Sequence, residues 1–162
     1  MKKNEMISAL KNAMRGELDS IGVYQNALSN STNAEVQNFF RNMIEEEQRH
    51  YNYLLEYYKS ISKEEEIPEL DLKETTNYIF SDSFKQRIGS NQILFSAISV
   101  ATLLEKNAFE YYQKAAKQTD DRILKEFFEK MTNLEKQHYD DLIEIAEDAE
   151  ITYWQQNRFE PF

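Results

Sequence analysis

Both histidines of this 162-residue sequence stand three residues after a glutamate, as Glu47-x-x-His50 and Glu135-x-x-His138. On a helix that spacing places the two side chains on one face, one turn apart. A carboxylate and an imidazole so placed are donors suited to a divalent transition metal. One such pair in a Glu-rich helix is weak, because the spacing arises easily by accident. Here the two are copies. With an offset of 88, segment 9–55 aligns with 97–143 without a gap and with thirteen identical pairs. These include Glu17/Glu105, Tyr24/Tyr112, Phe40/Phe128, Met43/Met131, Glu47/Glu135 and His50/His138. Two unrelated amphipathic hairpins would share Leu, Ala and Lys, not both histidines with their glutamates, so the pattern implies duplication and a pseudo-twofold bundle.

Helices must position these groups. Residues 4–29 carry an apolar stripe at Met6, Leu10, Met14, Ile21, Tyr24 and Leu28, whose steps of three, four and seven define one helical face. SNSTN at 29–33 supplies a turn and an N-cap, and a second stripe follows at Val36, Phe40, Met43, Leu54 and Tyr57. A third runs through Leu94, Ile98, Ala101, Ala108 and Tyr112; TDD at 119–121 ends it and caps a fourth through Leu124, Phe128, Met131, Leu142 and Ile145. Residues 61–90, Glu-rich and Pro-containing with one or two short helical pieces around 75–89, are long enough to return along the bundle as a crossover.

The stripes have holes, and the holes are Glu17, Glu47, His50, Glu105, Glu135 and His138. Glu17 and Glu47 each lie 15 positions from a turn at Thr32, and Glu105 and Glu135 each lie 15 from one at Asp120. At 1.5 Å per residue both pairs sit roughly 22 Å from their turns, so all six groups converge mid-bundle. One unpaired buried carboxylate costs several kcal/mol, against a total domain stability of about 5–15 kcal/mol. Protons or cations must therefore accompany the four. Two divalent cations balance four carboxylates and leave one imidazole for each metal.

Composition narrows the alternatives. Three Gly and two Pro among many Glu, Lys, Leu, Asn and Gln favour an all-α chain. A net charge of −10 argues against nucleic-acid binding. The absence of cysteine excludes disulfides, thiol catalysis and cysteine-held metal, leaving oxygen and imidazole as ligands. With no long apolar run and no signal-peptide core in MKKNEMISAL, a soluble cytoplasmic protein without membrane association is expected.

The set Glu17, Glu47-x-x-His50, Glu105, Glu135-x-x-His138 resembles the ferritin-like superfamily, and within it the erythrin part of rubrerythrins, over residues 4–148. The plain internal repeat and the second Glu-x-x-His set the chain apart from classical ferritins. The resemblance implies an all-α, ferritin-like four-helix bundle of two repeated hairpins with a long crossover, spanning 1–148. It implies two iron ions held by the six ligands, with manganese admitted by the same donors. Tyr24 and Tyr112 match tyrosines that bond ligand carboxylates of the opposite half; read from the residues alone they are equally core aromatics. The implied activity is hydrogen peroxide reduction with electrons from a separate donor protein. The alternatives are a ferroxidase using O2, an iron-binding or storage protein, or a di-manganese catalase-like protein. A homo-oligomer, dimer or larger, is expected. Two departures stand out: rubrerythrins carry a further ligand Glu where this chain has Ala108, and a four-Cys rubredoxin domain that this chain lacks.

Glu45 and Glu46 are expected to face solvent, with Glu46 at most supporting a ligand residue. KEEEIPELDLKE at 63–74 reads as a solvated linker in preference to a cation funnel. The aromatic tail, 149–162, is expected to pack on the bundle or a partner subunit.

Overall fold

The computed structural model describes residues 1–157. Five helices follow in order: α1 (Lys3–Ser29), α2 (Ala34–Lys63), α3 (Asp82–Gly89), α4 (Gln92–Gln118) and α5 (Arg122–Gln156). Among the described residues there is no strand. No helix is long and apolar enough to cross a membrane.

Side chains cap the helix starts where turn residues cluster. Asn33 Oδ1 accepts from the Val36 amide at 3.1 Å and Asp121 Oδ1 from the Leu124 amide at 2.9 Å, so each hairpin turn also starts its second helix. Ser81 and Asn91 cap α3 and α4 in the same way. α2 stops at Glu64, whose left-handed backbone (φ 61°) lets its own amide and that of Glu65 return to the Ile61 and Ser60 carbonyls.

The hairpins α1–α2 and α4–α5 are each closely packed, and α1 also lies against α4. The apolar core is divided into two clusters. One gathers Leu10, Leu54, Tyr112, Phe128 and Met131; the other gathers Leu142, Tyr24, Phe40 and Met43. Tyr112, Phe128 and Met131 of the first are the repeat partners of Tyr24, Phe40 and Met43 in the second. The duplication therefore maps one end of the bundle onto the other, and its axis passes through the polar belt between them.

Residues 65–80 cross from one cluster to the other. Leu72 is buried in the first cluster and its carbonyl accepts from Lys130 Nζ at 2.9 Å. Further on, Tyr78, Phe80 and Phe84 form edge contacts with Phe39 at centroid separations of 5.1, 5.5 and 5.5 Å. This is the expected crossover, and its helical piece is α3 alone. α3 lies close against α5: a Cβ on Gly89 would stand 2.4 Å from the Ala149 carbonyl oxygen, so only glycine fits there. α5 continues through Gln156, so residues expected in the tail from 149 onward form its last turns, with Tyr153 stacked on Phe95 at 4.6 Å. The rest of that tail, 158–162, lies outside the described residues.

Candidate metal centre

One turn of each long helix contributes to the belt. Glu17 comes from α1, Glu47 and His50 from α2, Glu105 from α4, and Glu135 and His138 from α5; all six are buried. They occupy stripe positions, so the packing that buries Leu10, Phe40, Ile98 and Phe128 buries them too. The expected convergence of the six is what the structure places mid-bundle.

The arrangement obeys the pseudo-twofold closely. His50 Nδ1 lies 2.8 Å from Glu135 Oε1, 3.3 Å from Glu47 Oε2 and 3.9 Å from Glu17 Oε2. His138 Nδ1 lies 2.8 Å from Glu47 Oε1, 3.3 Å from Glu135 Oε2 and 3.9 Å from Glu105 Oε2. Glu47 and Glu135 thus lie near both imidazoles, whereas Glu17 and Glu105 each approach one. The rings stack at 5.6 Å. Donor atoms of Glu47, His50, Glu135 and His138 all fall within 4.8 Å of one another. Tyr24 donates to Glu105 and Tyr112 donates to Glu17, so each tyrosine reaches a carboxylate of the opposite hairpin.

Charge distributes unevenly over the four carboxyls. Burial holds Glu17 and Glu105 well above the usual carboxylate range, and the ionised Glu47 and Glu135 push them further. Burial also acts against ionisation of Glu47 and Glu135, but there the neighbouring imidazoliums win and both are lowered. Burial disfavours the charged His50 ring, yet Glu135 and Glu47 outweigh it and push the ring up to about 10. His138 is raised for the same reason, with Glu47 foremost among its charge partners.

Even so, seven buried atoms of this belt have no hydrogen-bond partner: both oxygens of Glu47 and of Glu135, Glu105 Oε2, and Nδ1 of both histidines. Buried lone pairs are ordinarily satisfied. Oxygen and imidazole atoms converging without a hydrogen bond among them fit a pair of divalent cations, which would satisfy them and balance four carboxylates.

One carboxylate departs from expectation. Glu45 is exposed, but Glu46 is only 2% exposed; its Oε2 lies 2.6 Å from His138 Nε2 and its Oε1 accepts from the Thr76 amide at 2.9 Å. The repeat carried a signal for this: the partner of Glu46 is the buried Leu134, an inward position. The same comparison shows where the symmetry fails, since Leu134 offers His50 no such acceptor. With its outer nitrogen on Glu46, His138 is held so that Nδ1 faces the belt. Asp141, one turn beyond His138 and 6% exposed, was equally hidden in a charge-rich helix. Burial raises it to about 6, and Oδ1 accepts from Gln137 Nε2 at 3.1 Å.

A four-helix bundle with two Glu-x-x-His helices facing two single-Glu helices is of the ferritin-like carboxylate class. The family model described as Rubrerythrin matches residues 8–146, and the chain belongs to the rubrerythrin family. A solved two-domain protein of Anabaena variabilis, containing DJ-1/ThiJ/PfpI-like and ferritin-like domains, superposes with a TM-score of 0.57 at 19% identity. That superposition covers 99% of this chain and 39% of the other, so this chain spans well under half of that protein, and the likeness bears on the fold alone. No curated protein matches significantly.

Proposed function

We propose that the chain is a dinuclear iron protein that reduces hydrogen peroxide to water. The observation that carries this reading is the set of seven unsatisfied buried donor atoms, all in one belt and all of carboxylate or imidazole type. Glu47 and Glu135, close to both imidazoles, would help hold both metals, with Glu17 beside His50 and Glu105 beside His138. When bound, two ferrous ions would supply the two electrons that, with two protons, convert one peroxide into two waters. The residues hold those positions apart from bulk water, orient His138 through Glu46, and anchor Glu17 and Glu105 through the tyrosine hydroxyls. Re-reduction comes from an electron donor outside these 162 residues, none of which is a cysteine.

The test is metal analysis of protein grown with iron and manganese available, then anaerobic reduction and stopped-flow mixing with peroxide or O2. About two irons per chain, in a small homo-oligomer and with peroxide the faster oxidant, is the expected result. Faster oxidation by O2 moves the assignment to a ferroxidase, and manganese occupancy to a catalase-like site. A large assembly with many irons per chain indicates storage. Binding of neither metal at about two per chain refutes the reading.

A further inference from the structure

The six belt side chains are buried, and among the described residues a cavity reaches them. Between α1 and α4 a space of about 280 Å³ extends from the exposed Asn12 and Asn107, past Gly16 and Ala108, to the buried Glu17 and Tyr112. We infer that this cavity is the entry port for the small oxidant, and that it opens onto the Glu17–Tyr112 side of the centre. The inference rests on the proposed function for the identity of the visitor, but the passage is argued from the walls.

Three observations define it. First, its floor is chemical: Tyr112 donates to Glu17, so a molecule at the inner end meets a hydroxyl and a carboxyl of the belt. Second, although Arg15, Leu104 and Tyr111 also line it, its wall has a gap at Gly16 and Ala108. A Cβ built on Gly16 would meet nothing within 4 Å, so packing does not demand glycine there, and Ala108 opposite is equally short. Third, the duplication supplies an internal control. The repeat partner of Gly16 is Leu104, and that of the Glu17–Tyr112 pair is Glu105–Tyr24. The larger neighbouring groove between the same helices, about 760 Å³, is lined by Leu104 together with Leu18, Gly22, Ile93 and Val100, and reaches neither Glu105 nor Tyr24. The two halves are thus alike in ligands but unlike in access. A liquid water occupies about 30 Å³, so the port, at about 280 Å³, has room for roughly nine and lies just below the usual range for drug-sized ligands. The carboxamides of Asn12 and Asn107 at its mouth can both donate to and accept from peroxide.

Gly16→Leu and Gly22→Leu form a matched pair, since a Cβ at either glycine meets nothing within 4 Å while only Gly16 lines the port. The probe is azide, mixed with the oxidised, iron-loaded protein and followed by its charge-transfer absorbance. Gly16→Leu and Ala108→Leu are expected to slow azide association by about tenfold at unchanged iron content, while Gly22→Leu leaves it at the wild-type rate. Wild-type rates in both port variants, or equal slowing in all three, overturn the port. If the wild-type chain holds no iron, the functional proposal fails instead. The port then stands or falls on xenon-pressurised crystals of the metal-free protein, where a gas atom beside Ala108 supports it and empty density there overturns it.

Discussion

Loading the centre with metal should displace protons in a number set by the buried belt. In the metal-free protein burial raises Glu17 and Glu105 and favours their protonated forms, while Glu47 and Glu135 are lowered toward the ionised form. His50, at about 10, and His138, also raised, are both imidazolium. Two negative and two positive charges then leave the belt neutral, which is how it survives burial without cations. Two divalent cations on four ionised carboxylates and two neutral imidazoles also give zero. The exchange is therefore about four protons for two metals per chain. It follows that the product of the two binding constants rises by about four decades per pH unit near pH 7, or about 5.4 kcal/mol from 1.36 kcal/mol per proton. Anaerobic calorimetric titration with ferrous ion, in two buffers of different ionisation enthalpy, reads the protons directly. Glu17→Gln, which has no proton to lose, should lower the count by about one. A release of one proton or fewer from the wild-type chain would refute the charge assignment and with it the account of how the empty belt is tolerated.

Two further outcomes follow from the same residues. Glu46→Leu copies the residue of the other repeat, Leu134, and takes the acceptor from His138 Nε2; one of the two metals should then bind about 10–100-fold more weakly, resolved by chelator competition. Unaltered affinity at both positions would remove Glu46 from the centre. Metal-free protein should also lose stability in alkali. A raised imidazole contributes in full below its ordinary 6.5 and loses that contribution as pH rises through about 10, and the raised Glu17 and Glu105 act in the same direction. Thermal melts from pH 7 to beyond His50's value of about 10 should fall more steeply for the metal-free than for the loaded form; parallel curves would contradict this.

A helix writes its inward face into the sequence every three or four residues, so the four long helices, their hairpin pairing and the six belt residues could all be read without coordinates. Even the level of the belt followed, because the rise per residue is constant and Glu17, Glu47, Glu105 and Glu135 are equally far from their turns. Asn33 and Asp121, capping through their own side chains, are local signals of the same kind.

What the stripe cannot encode is how its edges are covered. Glu46 lies beside the stripe in a run of three glutamates, and residues 65–80, crossing over α2, bring the Thr76 amide to it. The sharing of Glu47 and Glu135 between both imidazoles likewise depends on how far apart α2 and α5 pack, a lateral distance absent from any one helix. The same holds for the passage at Gly16 and Ala108, which exists only between α1 and α4. The residues that form the belt were thus determined by the sequence and its repeat, through the local period of the helix. How the unlike repeat partners Glu46 and Leu134 make the two halves unequal was decided by tertiary structure, because the crossover brings Thr76 to one of them and has no copy on the other face.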